Sequence, residues 1–281
     1  MAGRFLDVTP EQYHRDPCER PSLSASIATE LVQRSPLHAW QIHPKLGGLR
    51  RTATEALTDG TLIHALLLGA GEERIAVLNV SDFRTNFAKA ARDAALLAGK
   101  AVVKAADYEA AKEVVEILKK RIAKLDIAFD GVSEQAIEWT EPTDDGEVLC
   151  RGMLDHLVLR CGAVTTATVY DVKTIRSGDD RTVQRHILDY GYDIQDAAYR
   201  SAVGAVVPEA CGRIELVFVF VELEPPYEVR ADPLNGMFRH IGRSKWDHAC
   251  RVWARCLATK NWPGYSGRIT DIEPPPWALT G

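Results

Sequence analysis

Residues 165–175 read TTATVYDVKTI, and this stretch decides the fold. Its Val, Ile and Thr residues are typical of a β-strand, and the stretch VLCRGMLDHLVL at residues 148–159 predicts a second strand just before it. Side chains alternate between the two faces of a strand, so Asp171 and Lys173 should share one face while Val172 points into the core. The pattern therefore predicts an acidic and a basic side chain next to each other on one face of a sheet.

Asp155 adds a second carboxylate on the preceding strand. If the chain turns near residues 162–166, the two strands form a hairpin that brings Asp155 close to Asp171. Two carboxylates and the Lys173 ammonium suit hydrolysis of a phosphodiester, since carboxylates hold Mg²⁺, the ion activates water, and lysine adds a fixed positive charge. The alternative is an exposed Asp–Lys pair across strands, which contributes little. These residues alone leave both interpretations open.

The rest of the chain alternates between helical and strand patterns. We predict helices at residues 24–42 (with Ser24 as N-cap and a break near Pro36), 61–68, 105–124, 181–206 (with a break near Gly191) and 233–259. Further strands are predicted at residues 135–140, 213–222 and 227–232, and an extended Pro-rich tail at 274–276. The order of elements indicates an α/β (α+β) fold with a central mixed β-sheet flanked by helices. Without repeats or linkers, residues 1–281 should form a single domain whose catalytic core spans about residues 55–225, with the N-terminal helical segment and the C-terminal helix packed on it.

Composition excludes several classes of protein. Hydrophobic residues make up 46% of the 281 residues and charged residues 26%, as in a folded globular domain. No apolar run approaches the roughly 18 residues that span a bilayer, and no secretion signal is visible, so we expect a cytoplasmic location without membrane contact. The six cysteines are scattered without a CxxC pair, which predicts reduced thiols and argues against structural zinc or an iron–sulfur cluster. The net charge of −5 weighs against nucleic-acid binding without excluding it, since a basic groove can coexist with an acidic exterior.

Two further sites are weak signals when taken alone. His64 lies among leucines in the sequence GTLIHALLL, residues 60–68, where a histidine is more often part of the core than a metal ligand. Gln195 and Tyr199 are four residues apart on a predicted helix and therefore share a face.

Taken in order, these segments resemble the motifs of the PD-(D/E)XK nuclease superfamily. The matching segments are SLSAS at 22–26 followed by SPLH at 35–38, GTLIHAL at 60–66, Asp155, DVKT at 171–174 and QDAAY at 195–199. The resemblance is to the RecE-type (exodeoxyribonuclease VIII-like) branch and, more distantly, to lambda exonuclease and RecB-type nuclease domains. It covers about residues 13–199 and implies a restriction-endonuclease-like core with the active site at one end of the sheet.

The resemblance also implies roles for individual residues. His64, Asp155, Asp171 and the backbone carbonyl of Val172 would ligate Mg²⁺ or Mn²⁺, and Lys173 would position the attacking water. Gln195, Tyr199 and Thr174 would support these groups or contact DNA. The upstream acidic residue that the family carries is Glu134, with Glu138 as the alternative.

The function implied by the resemblance is an exonuclease that degrades linear double-stranded DNA ends, releasing 5′ nucleotides for recombination or repair in a phage setting. A single-strand annealing protein would be its partner. An endonuclease or single-strand nuclease of the same superfamily, and a non-catalytic DNA-binding protein on the same scaffold, remain alternatives. RecE-type and lambda-type enzymes thread DNA through rings, so a homo-oligomeric ring is expected. The aromatic residues Trp246, Trp253, Trp262, Tyr265 and Trp277 would either supply the contact surface of this ring or pack on the chain's own sheet.

Overall fold

A six-stranded mixed β-sheet forms the centre of the protein. The computed structural model describes residues 3–48, 59–269 and 271–274. In spatial order the strands are β1 (Gly3–Leu6), β4 (Val132–Thr143), β5 (Gly146–Arg160), β6 (Thr166–Ile175), β7 (Ile214–Glu222) and β8 (Val229–Pro233). Neighbouring strands are antiparallel except β6 and β7, which run parallel because two helices connect them. A separate parallel pair consists of β2 (Ile75–Leu78) and β3 (Ala101–Lys104).

Helices cover both faces of the large sheet. The helices of the described residues are α1 (Pro10–His14), α2 (Ala25–Gln33), α3 (Pro36–Ile42), α4 (Asp59–Leu68), α5 (Asn86–Leu97), α6 (Ala105–Ala123), α7 (Asp180–Asp189), α8 (Tyr192–Val206) and α9 (Gly236–Thr259), with short 3-10 helices at Glu72–Arg74 and Pro208–Ala210. Of these, α5 packs on the β2–β3 pair. Ser24 and Ser35 cap α2 and α3, since each side-chain oxygen accepts a backbone N–H of the first turn.

The sheet separates two apolar cores. One face of the sheet packs against α2, α3, α8 and α9, around buried residues such as Trp139, Ile194 and Phe218. The other face packs against α4 and α6, around Val172 and Val219. Strand β6 contributes to both cores because its side chains alternate, with Val169 in the first and Val172 in the second.

The tryptophans of α9 belong to the first core. Trp246 and Trp253 are fully buried, and the Trp246 ring stacks on Trp139 with ring centroids 6.1 Å apart. Trp262 packs against the same core, and Tyr265 is exposed. The hypothesis that Trp246 and Trp253 form a contact surface between subunits is therefore wrong, because both side chains are buried in the core of their own chain. Trp277 lies outside the described residues.

Most predicted elements are present with small shifts of their ends. The breaks before Pro36 and at Gly191 are confirmed, and β4, β5 and β6 form the predicted antiparallel meander. Helix α9 begins at Gly236 and not at residue 233, because the Asn235 side chain accepts the Phe238 N–H and caps the helix there. Strand β1 and the unit of β2, α5 and β3 were not predicted from the sequence. Residues 275 and 276 of the Pro-rich tail lie outside the described residues. Across the part of the chain that the structure describes, no helix is both long and apolar enough to cross a bilayer.

Candidate active site

The site is located where β5 and β6 diverge. Their pairing runs from Arg160 opposite Thr166 to His156 opposite Tyr170 and stops there. Beyond this point the backbone N–H of Val172 donates to Oδ2 of Asp155 at 2.9 Å. The Asp155 carboxylate thus replaces a backbone acceptor at the divergence, which we call the fork.

On the side where its second half pairs with β6, the first half of β5 is bonded instead to the segment around Leu23. The fork therefore lies between β6 and this segment. Leu23 donates its N–H to the Leu149 carbonyl at 2.8 Å and accepts the Arg151 N–H at 2.9 Å. In the gap between this contact and β6, the Tyr199 hydroxyl donates to the Met153 carbonyl at 2.7 Å. Gly152 permits this approach, because a Cβ there would lie 3.1 Å from the Tyr199 ring.

Asp171 and Lys173 share a face of β6, as the strand alternation predicts. Asp171 is fully buried, and its Oδ1 accepts a 2.7 Å hydrogen bond from Gln195 on α8. Its Oδ2 is in an ion pair with the Lys173 ammonium. That ammonium also lies 4.9 Å from the centre of the Tyr192 ring, a cation–π distance. Lys173 is therefore held between a carboxylate and an aromatic ring.

His64 lies at the fork and not among the leucines of its own helix. It is carried by α4, and its Nε2 is 2.9 Å from Oδ2 of Asp155. Its side chain keeps 29% of its accessible surface, whereas neighbouring Ile63 and Leu66 are buried in the second core. His64 and the Val172 N–H thus converge on one oxygen of Asp155.

Burial and neighbouring charges act in opposite directions on the pKa values of Asp155 and Lys173. For Asp171 the two largest effects act in the same direction. Burial, and after it the Asp155 charge, raises the pKa of Asp171 to about 6. Burial also acts to raise the pKa of Asp155, but the hydrogen bond and charge of His64 outweigh it and bring that pKa below its ordinary value. Burial acts to lower the pKa of Lys173, and the two carboxylates overcome it and raise that pKa. Lys173 therefore stays charged beside two carboxylates that repel each other.

Glu134 extends the row of acidic positions across the sheet. Its neighbours on β4 pair with His156 and Leu154, so Glu134 stands opposite Asp155. It adopts φ +51°, and both of its oxygens accept from one Arg74 nitrogen, at 2.7 and 2.8 Å. Glu138, the alternative, pairs with Arg4 and does not line the cleft described below. The structure brings Glu134 to the site and leaves Glu138 outside it.

Thr174 points away from the carboxylates. It is exposed on the face of β6 that also carries Val172, next to Gly60 in the first turn of α4. A Cβ at Gly60 would lie 3.1 Å from the Thr174 hydroxyl oxygen, so the Thr174 side chain lies close to the backbone of α4. This position fits a contact between β6 and the helix that carries His64.

A cleft of about 630 Å³ lies directly over these groups. Its walls come from α1, α2, α4, α8 and the first residues of β2 and β3, and include His64, Glu134, Asp155, Lys173, Gln195 and Tyr199 together with Tyr13, Ser24, Arg74, Met153 and Tyr190. Arg74 and Tyr192 were not predicted from the sequence. Tyr192 precedes Gln195 by three positions and so shares its helix face, which is a signal that could have identified it. Arg74 lies in a short irregular segment that offers no such pattern.

The residues present fit a divalent cation. Two carboxylates, a backbone carbonyl and an imidazole are oxygen and nitrogen donors of the kind that Mg²⁺ and Mn²⁺ take. N–H and C=O of one strand residue point to the same neighbour, so the Val172 carbonyl also faces the fork. Among the described residues, buried Oδ2 of Asp171 receives no hydrogen bond beyond its ion pair with Lys173. Burial and the Asp155 charge raise the pKa of Asp171, and a bound cation would oppose both effects. Among the described residues, no group of three or more His, Cys, Asp or Glu side chains is arranged to hold a metal ion. His64 contacts Asp155, and Lys173 pairs with Asp171.

The family of the chain follows from its sequence match over most of its length. A family model described as "PDDEXK-like domain of unknown function (DUF3799)" matches residues 35–273. The chain belongs to this family. The match confirms the predicted PD-(D/E)XK superfamily, and with it a nuclease-type domain.

One solved structure shares the fold of the chain. The chain is similar to a protein from Eubacterium rectale named "Putative exonuclease", whose crystal structure was determined at 2.19 Å resolution, with a TM-score of 0.61, 13% identity and 98% of each chain covered. This likeness confirms the mixed sheet flanked by helices. The structure of SSO0001 aligns over 88% of each chain with a TM-score of 0.34 and 9% identity, which supports no argument. None of the curated proteins matches the sequence.

Proposed function

We propose that this protein is a divalent-metal-dependent DNA exonuclease that degrades linear double-stranded ends, in the manner of RecE-type enzymes. The observation that supports it most is the fork, where Asp155 binds the Val172 N–H beside buried Asp171 and charged Lys173. An exposed Asp–Lys pair would show none of this burial. The name of the Eubacterium rectale protein points to the same activity.

Each residue at the fork has a separate task in this proposal. His64, Asp155, Asp171 and the Val172 carbonyl would hold Mg²⁺ or Mn²⁺, which supplies Lewis acidity and charge neutralisation at the phosphate when bound. Lys173 holds a positive charge where water and a non-bridging phosphate oxygen would meet, and the Tyr192 ring limits its motion. Gln195 fixes the orientation of Asp171, and Tyr199 fixes the strand gap through Met153. Glu134, held by Arg74, adds a carboxylate at the edge of the cleft.

The size of the cleft supports digestion from an end. A volume of about 630 Å³ is in the range of sites that enclose a small ligand, which suits one or two nucleotides of a strand. The carboxylates lie beneath walls from α1, α2 and the start of β2, so a strand end reaches them more easily than the middle of a duplex. Release of 5′ nucleotides is the polarity that we propose, on the resemblance to RecE-type enzymes.

Linear duplex DNA should be degraded in Mg²⁺, closed circular duplex of the same sequence should survive, and EDTA should stop the reaction. Duplexes labelled at the 5′ or the 3′ end report polarity, and early release of 5′ label as mononucleotide is expected. Nicking of the circle would favour the endonuclease alternative. Binding without hydrolysis in Mg²⁺ and Mn²⁺ would favour the non-catalytic DNA-binding protein.

We also propose a closed homo-oligomeric ring that acts in the cytoplasm with a single-strand annealing protein. An acidic chain needs a local positive surface to hold DNA, and a channel shared by several subunits would concentrate basic side chains while the exterior stays negative. Since Trp246 and Trp253 are buried within the chain, the contacts between subunits must use other residues. Light scattering at micromolar concentration should give a mass that is a multiple of 31.1 kDa. A monomer that digests long duplex processively would contradict the ring.

A further inference from the structure

Tyr190 forms a ridge between two depressions of the surface. It lines the cleft over the fork, and it also lines a groove of about 490 Å³ along α7, together with Asp179, Arg181, Thr182, Arg185, His186 and Asp189. Tyr190 is 58% exposed, so much of its aromatic ring is open to solvent. A strand that lies in this α7 groove and ends at the fork must cross the Tyr190 ring.

The ring of Tyr190 is held in place by other aromatic rings. It stacks on Tyr192 at 5.8 Å with an interplanar angle of 25°, and it meets the His186 ring edge-on at 4.9 Å. Tyr192 stacks in turn on buried Phe218 at 5.5 Å and lies under the Lys173 ammonium. One stacked pair therefore connects the exposed ring to the lysine of the site.

The backbone next to Tyr190 is fixed as well. Gly191 has φ +69°, and a Cβ there would lie 2.3 Å from the hydroxyl oxygen of Thr29 on α2. Only glycine permits this turn and this close approach. The turn thus holds the exposed face of Tyr190 in one position relative to the cleft.

The α7 groove carries side chains that suit a phosphate backbone. Arg181 and Arg185 are exposed there, and His186 lines the same groove, while the Thr182 hydroxyl donates to the Asp179 carboxylate. Arg185 pairs with Asp189 at 3.2 Å, whereas Arg181 has no ion-pair partner among the residues that the structure describes. A solvent-exposed arginine of this kind can bind a phosphate without first breaking an ion pair.

We propose that the nucleobase next to the scissile phosphate leaves its complementary strand and stacks on Tyr190, while the neighbouring phosphates lie in the α7 groove. This inference rests on the proposed nuclease function and specifies its substrate at the fork as an unpaired nucleotide. Base–aromatic stacking is tolerant of sequence because every base has a flat face, which suits an enzyme that must process any DNA end. Unpairing of the terminal base pair then becomes part of each cleavage cycle.

The test is kinetic and combines a change in the protein with a change in the DNA. In Mg²⁺, kcat/KM is measured on duplexes whose terminal nucleotide is normal or abasic, placed on the 5′ or the 3′ end in separate substrates. For the wild-type chain we expect the abasic nucleotide to lower kcat/KM at the digested end by about five-fold or more. Tyr190→Leu should show a similar loss on normal DNA and no further loss on abasic DNA, whereas Tyr190→Phe should behave as wild type.

Phe87→Leu serves as the matched control, because Phe87 is 76% exposed but lines neither the cleft nor the α7 groove. It should keep the wild-type response to the abasic nucleotide. An abasic penalty that is unchanged in Tyr190→Leu overturns the stacking proposal, as does wild-type cleavage that is equally fast on both substrates. A wild-type chain that cleaves none of these DNAs overturns the proposed function itself, and the stacking proposal with it.

Discussion

Asp171→Asn is expected to lower the rate of DNA hydrolysis by about 10³-fold or more, while the protein stays folded. The substituted amide oxygen can still accept the Gln195 hydrogen bond that now reaches Oδ1 at 2.7 Å, so the contact between β6 and α8 survives. What disappears is the negative charge that pairs with Lys173 and that would hold the metal. The initial rate on linear duplex in Mg²⁺ measures the first effect. Thermal unfolding measures the second, with a Tm shift of a few degrees at most, because Asp155 remains near the Lys173 ammonium and no longer repels a second carboxylate.

Asp145→Asn is the matched control for this variant. Asp145 lies in the turn between β4 and β5, where it pairs with Arg255 on the surface, and it does not line the cleft. The same chemical change there should leave the rate within about two-fold of wild type. Calorimetric titration with Mn²⁺ should show weaker binding for Asp171→Asn and none of this loss for Asp145→Asn. An Asp171→Asn variant with full activity would refute the metal mechanism.

The parts of the site that could be predicted are those that follow from the alternation of side chains along a strand. Alternation along residues 165–175 is enough to place Asp171 and Lys173 on one face, and the hairpin brings Asp155 to them. His64 was ambiguous, because its leucine neighbours describe a core helix equally well. Only the packing of α4 against the sheet decides that this one side chain reaches the fork.

The missed parts depend on contacts between distant segments. Strands β1, β2 and β3 have four residues each, which is too short for a two-residue period to stand out, and each is stabilised by its pairing partner. The Arg74–Glu134 pair joins a short 3-10 helix to a strand 60 positions later. The ridge at Tyr190 exists because Gly191, in a left-handed conformation, turns the chain against α2. The sequence does not show that Arg74 meets Glu134 or that Gly191 meets α2.

Arg151→Met is expected to destabilise the fold by about 3–5 kcal/mol, because it removes one partner of a buried charge pair. Arg151 and Asp16 are both almost inaccessible to solvent, and Nη1 of Arg151 lies 3.4 Å from Oδ2 of Asp16. The same nitrogen donates to the carbonyl and hydroxyl oxygens of Ser22, both at 2.7 Å. These bonds attach the N-terminal segment to β5 next to Leu23, so their loss should also displace the α2 wall of the cleft. Urea unfolding at neutral pH measures the change in free energy.

Arg255→Met is the matched control, and the free energy of unfolding measured at falling pH is the second test. Arg255 is an exposed arginine in a surface ion pair, so its loss should cost less than about 0.5 kcal/mol.

Burial acts to raise the pKa of Asp16, but the hydrogen bond from His43 and the charge of Arg151 outweigh it and hold that pKa well below its ordinary value. A carboxyl group whose pKa is depressed in the folded state stabilises the fold above its unfolded pKa of about 4, and this stability is lost as the pH falls below about 5. The free energy of unfolding should therefore fall with acid in the wild type and fall less steeply in Arg151→Met, since the remaining depression of the Asp16 pKa is smaller. Equal slopes in the two proteins would show that Arg151 does not stabilise the Asp16 carboxylate, and its structural role would then rest on the Ser22 contacts alone.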